Sequence, residues 1–162
     1  KNQIRFQYNQ QPLRTKWESP RQSSDILRIW NEAKTLIKKF RIEEASLVEM
    51  FAATYEQCRS SISVSSDSRR VMIQDFYKEF RITQARHDIN RKADRALTFP
   101  EFPLWAFLYN LDLYIAHAGS TASELRLALE TGSQAETNKS GYVTNGLNPQ
   151  HDYRMHVFLV RN

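Results

Sequence analysis

The stretch LWAFLYNLDLYIAHAG, residues 104–119, decides the reading of the fold. Leucine, alanine and aromatic side chains fall on nearly every side of its helical projection, and a helix apolar all round belongs in the interior. The expected helix runs over about 103–118 as the most buried element, with Pro103 suited to its first turn. Asp112 sits inside it, a turn from Leu108 and Ile115. A buried carboxylate is costly unless it is paired or hydrogen-bonded. The expected partner is an arginine of the basic segment just upstream; the alternative is that Asp112 faces an edge and meets water.

Upstream, TFPEFP (98–103) is a rigid turn. Before it, residues 69–97 read as helix with a fault. Met72, Phe76 and Phe80 share one face, whereas Ile82, Ala85, Ile89, Ala93 and Ala96 form a stripe out of phase with it, so a kink or break is expected near 80–82. On the second half, Arg81, Arg91, Lys92 and Arg95 fall within about one quadrant at 100° per residue. Such clusters are commonly solvated faces, but a guanidinium fork is suited to phosphate.

Further upstream, Ile26, Ile29, Trp30, Ala33, Ile37 and Phe40 predict a helix over about 25–40, started by Ser24 and Asp25. Leu47, Met50, Phe51, Tyr55 and Cys58 predict a second over about 43–59, and the two read as a helical hairpin. SSISVSSDS (60–68) is a loop. Downstream of 119, Thr121 and Glu124 start and Gly132 stops a short helix over about 121–131. Residues 133–150 are loop or extended tail, and YRMHVFLV (153–160) is strand-like.

Residues 1–23 alternate Ile4, Phe6 and Tyr8 with Arg5 and Gln7, followed by Pro12, Leu13, Trp17 and Pro20. They form either a disordered leader or an arm whose Phe6, Tyr8, Leu13 and Trp17 contact a neighbouring subunit. The expected architecture is therefore all-α: an arm over 1–23, a helical-bundle core over 24–132 and a C-terminal extension over 133–162. The extended ends would pair with each other or reach other subunits.

Composition narrows the chemistry. The 162 residues are 41% hydrophobic and 25% charged, as one globular domain requires. No apolar run approaches a membrane span and no signal-peptide pattern opens the chain, so no membrane partner is expected. The chain opens at Lys1 without an initiator Met, as a processed product or part of a longer protein would. Four glycines form neither GxGxxG nor a P-loop, and a lone cysteine forms neither an internal disulfide nor a cysteine-based metal site. His87, His117, His151 and His156 are too scattered for a metal site, so no cofactor is expected. The net charge of +5 is uneven: 1–21 and 69–95 are basic, while 98–132 carry Arg126 alone against four acidic residues. The one enzyme-like pattern, Arg81 and His87 on one helix, is similar to the Arg-x(4–6)-His element of HEPN ribonucleases, but Ile82 follows the arginine where those sites are polar. No enzyme is expected.

Four segments in order carry a likeness. IWNEAKTLIKKFRIEEASL (29–47), the basic helix at 81–97, NLDLYIA (110–116) and LRLALETGS (125–133) together resemble the coat proteins of flexible filamentous plant viruses, the potyvirus and potexvirus type. In NLDLYIA, Asp112 and Tyr114 stand on the family's Asp and second aromatic, with Leu111 and Leu113 where aromatics are usual. Leu104–Leu111 lacks the family's arginine, leaving Arg81 and Arg86 as candidates for the RNA pocket. The resemblance implies a helical core, an arm docking on the next subunit of a homopolymer, and single-stranded RNA in a basic groove, in virions and host cytoplasm. Arg81, Arg86, Arg91, Lys92, Arg95 and Asp112 are the RNA-site candidates. A stand-alone nucleic-acid-binding module is the alternative.

Overall fold

The structure, a computed structural model, describes residues 3–61, 69–91, 102–117, 126–144 and 154–161. Its elements are β1 (Gln7–Tyr8), β2 (Gln11–Pro12), α1 (Ser23–Phe40), α2 (Glu44–Ser61), β3 (Arg70–Met72), α3 (Ile73–Arg91), α4 (Leu104–His117), β4 (Leu127–Glu130), α5 (Gln134–Ser140), β5 (Tyr142–Thr144), β6 (Arg154–His156) and β7 (Phe158–Arg161). This corrects the all-α expectation. Among the described residues, five helices are joined by three small antiparallel sheets, and the fold is mixed α and β.

The expected central helix is α4. Nine of its residues, from Trp105 to Tyr114, are buried. They meet an aromatic core centred on Phe51 of α2, which has no exposed surface. Its ring lies 4.8 Å from that of Tyr114, nearly parallel, and packs against Phe76 and Phe80 of α3. Tilted and edge-on contacts of this kind suit the ring quadrupole and add to the burial itself.

Asn110 of α4 fastens the α1–α2 junction. Fully buried, it accepts a hydrogen bond from the Ile42 backbone N–H at 2.9 Å and donates to the Phe40 and Ala106 carbonyls at 2.9 and 2.7 Å. The Phe40 carbonyl is one of those a helix leaves without an internal partner at its C-terminus. One amide thereby fixes where α1 ends and how the chain turns into α2.

Three expectations about local structure are corrected. α3 runs unbroken from Ile73 to Arg91. The phase shift at Ile82 marks where the helix leaves the core: Phe80 is fully buried and Ile82 is 45% exposed. Residues 127–130, expected in a helix, form β4, and the expected loop after 132 contains α5 and β5. The C-terminal segment supplies β7, the middle strand of the sheet β3-β7-β4. Leu159 is fully buried between Val71 and Leu129 in register. The ends of the chain do not pair with each other among the described residues.

The N-terminal segment folds back on its own chain. β1 and β2 pair through a two-residue turn in which Asn9 (φ 44°) and Gln10 (φ 63°) are both left-handed. That is the turn whose twist matches a hairpin, and asparagine tolerates it well. Ile4 and Glu18 exchange backbone hydrogen bonds at 2.9 and 3.0 Å, closing the hairpin's base. Leu13 is buried, Phe6 and Tyr8 are half-buried against the core, and Trp17 stays exposed.

Candidate nucleic-acid interface

α1 begins where Asp25 accepts the backbone N–H groups of Arg21 and Gln22, at 2.9 and 3.2 Å. Those bonds, with the Arg21 one foremost, hold its carboxyl below the usual aspartate range. The helix is strongly amphipathic, yet only Ile29 and Ala33 are buried. Leu27, Trp30, Lys34 and Lys38, spaced three or four apart, form an exposed stripe beside that buried edge. The Lys34 ammonium lies 5.7 Å from the centre of the Trp30 ring.

The hairpin abuts this stripe. The Phe6 ring sits 5.2 Å from Trp30, and the Arg5 guanidinium lies 4.3 Å over Trp17. Trp17 is 48% and Trp30 44% exposed. A groove between hairpin and α1 is lined by Arg5, Phe6, Lys16, Glu18 and Ile29 among others. The face therefore offers two open indole rings, each with a cation against it, together with Lys16, Arg21 and Lys38, all exposed. On the opposite flank of α1, Arg14 and Arg28 both close on Glu32 at 2.7 Å. That hydrogen bonding, from Arg28 foremost, holds the Glu32 carboxyl low.

Residues 1–41 contain ten lysines and arginines against Glu18, Asp25 and Glu32. The other 121 residues carry 13 basic and 15 acidic groups. The chain's entire excess of positive charge thus lies in the segment that builds this face.

The sequence candidates are distributed differently. Arg81 and Arg86 are exposed on the part of α3 that projects past the core, Arg81 with its guanidinium 5.8 Å from the Tyr77 ring. The side chains of Arg91 and His87 and all of Lys92 and Arg95 lie outside the described residues. Asp112 is fully buried. Its Oδ2 accepts hydrogen bonds from the Tyr8 hydroxyl at 2.7 Å and the Asn9 amide at 2.8 Å. These donors come from the N-terminal hairpin, about a hundred residues upstream of α4. Asp112 is thus a core residue that fixes the hairpin. Phe6, Tyr8 and Leu13, expected at a neighbouring subunit, pack on their own chain, and of that set Trp17 alone is largely exposed.

Among the described residues, no three His, Cys, Asp or Glu side chains converge as metal ligands would, and no described helix is long and apolar enough to cross a membrane. Compared with protein-family models, curated proteins and solved structures, the chain matches none of them.

Proposed function

We propose that this protein binds single-stranded RNA, without sequence preference, across the face formed by its N-terminal hairpin and α1, and that it acts as a packaging subunit. One observation carries the proposal: Trp17 and Trp30 stand open, each against a cation, on the segment that holds the whole net positive charge. Sequence-tolerant binding of a single strand needs cations that follow the phosphates and flat rings on which bases stack, at about 1–3 kcal/mol per base. A duplex hides its base faces in the stack, so the indoles favour a single strand.

The coat-subunit form of the proposal adds self-association into a helical filament. The helical core implied by the resemblance is not the architecture found, so this form rests on the four sequence segments. Electron microscopy of the protein with RNA separates the forms: long filaments support the coat subunit, and discrete particles leave a stand-alone binding module.

Intrinsic fluorescence tests the face itself. Trp105 is 4% exposed, so quenching by RNA reports on Trp17 and Trp30. Saturable quenching by a single-stranded oligonucleotide, reduced in Trp30→Leu and largely lost when Trp17→Leu is added, is the expected result. A spectrum unchanged by RNA at low salt would mean that the indoles serve another purpose.

A further inference from the structure

We infer that Asp112 is a positioning residue of the RNA face, acting through Tyr8 and Asn9 at the tip of the hairpin; the inference rests on the reading of that face given above. The carboxylate is fully buried in α4, and both donors sit at the turn, Asn9 itself being 8% exposed. The Tyr8 ring also packs edge-on against Tyr109, one helical turn before Leu113, at 5.4 Å. The other end of the same hairpin carries Arg5, Phe6 and Trp17, which build the face with Trp30.

The hairpin cannot hold this arrangement alone. Its two strands have two residues each, closed at the base by the Ile4–Glu18 bridge. An isolated two-stranded hairpin is at best marginally stable in water. Its docking rests on burial of Leu13, on the Tyr8–Tyr109 and Phe6–Trp30 contacts, on the exposed Arg14–Glu32 pair and on the Asp112 clasp. Of these, the clasp fixes direction, because one oxygen must meet two donors from adjacent residues at once. A core side chain thereby sets the direction in which Arg5, Lys16 and Trp17 are held beside α1.

The test uses the full chain with Tyr8→Phe, Asp112→Asn and the double substitution. Tyr8→Phe keeps the ring and removes one donor, so it remains informative if the buried Asp112 variant folds poorly. Two quantities are read: the rate of tryptic cleavage after Arg14 and Lys16, and the salt dependence of binding to a single-stranded RNA. Loss of one clasp bond should speed cleavage about tenfold, the scale of leaving one buried polar group without its partner. Because both substitutions act on the Tyr8–Asp112 pair, the effects of the double variant should be less than the sum of the single ones. The slope of log K against log salt should fall by up to about 1.4, the share of Arg5 and Lys16, while the share of α1 remains. General loosening of the core would instead abolish the whole slope. Faster cleavage with an unchanged slope would overturn the inference, since the hairpin would then lie outside the RNA face. Unchanged cleavage would overturn the clasp. If the parent binds no RNA, the reading of the face fails and takes the inference with it, whereas cleavage still reports on the clasp.

Discussion

Replacing Asn110 by alanine should unfasten the α1–α2 junction. The side chain has no exposed surface and makes three hydrogen bonds, to Ile42, Phe40 and Ala106. The Ala106 carbonyl keeps its helical partner four residues on. The Phe40 carbonyl and the Ile42 N–H lose theirs. A buried group left without a partner costs about 1–3 kcal/mol. Phe40 and Ile42 are half-buried, so water restores part of that, and a total of about 2–4 kcal/mol follows once the small cavity is added. At about 2–4 °C per kcal/mol for a chain of this size, the melting temperature should drop by ~5–15 °C. Asn110→Asp still accepts from Ile42 but sets its second oxygen against two carbonyls, so at neutral pH it should be no better than alanine. Thermal and urea unfolding followed by circular dichroism decide the matter. If Asn110→Ala melts within ~2 °C of the parent, the junction is held by something else.

Leu159→Ala, in the middle strand of the sheet, should cost about 2–5 kcal/mol by urea unfolding, and deleting residues 153–162 should unfold the protein rather than trim it. Burial pushes the Cys58 thiol up to about 12 from an ordinary 9.0. Its neutral form is therefore favoured by folding; that stability is complete below about pH 9 and is lost as pH rises toward 12, so the urea midpoint should fall across this window. For the same reason Cys58 should resist alkylation at pH 8 until the protein is unfolded. Glu32→Gln should change stability by less than ~1 kcal/mol, because its two ion pairs are exposed. Because that cluster stands on the opposite flank of α1 from the two indoles, the substitution should leave RNA affinity and its salt slope at the parent's values.

The elements legible in the sequence were those with a strong local signal. The apolar run of α4 and the periodic stripes of α1 and α2 placed three helices within about two residues, within the usual scatter of helix ends. The sheet was hidden because its pairings are long-range. Leu125, Leu127 and Leu129 have the alternating spacing of a strand, but the cap signals at Thr121, Glu124 and Gly132 favour a helix until β7 is known to lie alongside. Ser133 and Glu136 form the reciprocal cap that starts α5, a Ser-x-x-Glu signal present in the sequence. At the candidate site, Trp30 shares the apolar periodicity of α1 but stands about 100° round the helix from buried Ile29, at the edge of the buried face, which leaves the ring open. Lys34 and Lys38, four and eight residues after it, were the available signal. The partners of Asp112 were not legible, because a tyrosine and an asparagine a hundred residues upstream leave no local mark.

The central claim, that the hairpin and α1 bind single-stranded RNA, is tested most directly by the salt dependence of binding to a labelled oligonucleotide, with the parent beside a Lys34→Gln, Lys38→Gln double variant. Each phosphate contact on a single strand contributes about 0.7 to the slope of log K against log salt. Both lysines are exposed on α1, so their loss should leave the fold intact. The account predicts that it flattens the slope by about 1.4 and weakens binding equally on every sequence. A double variant that binds with the parent's affinity and slope would contradict it.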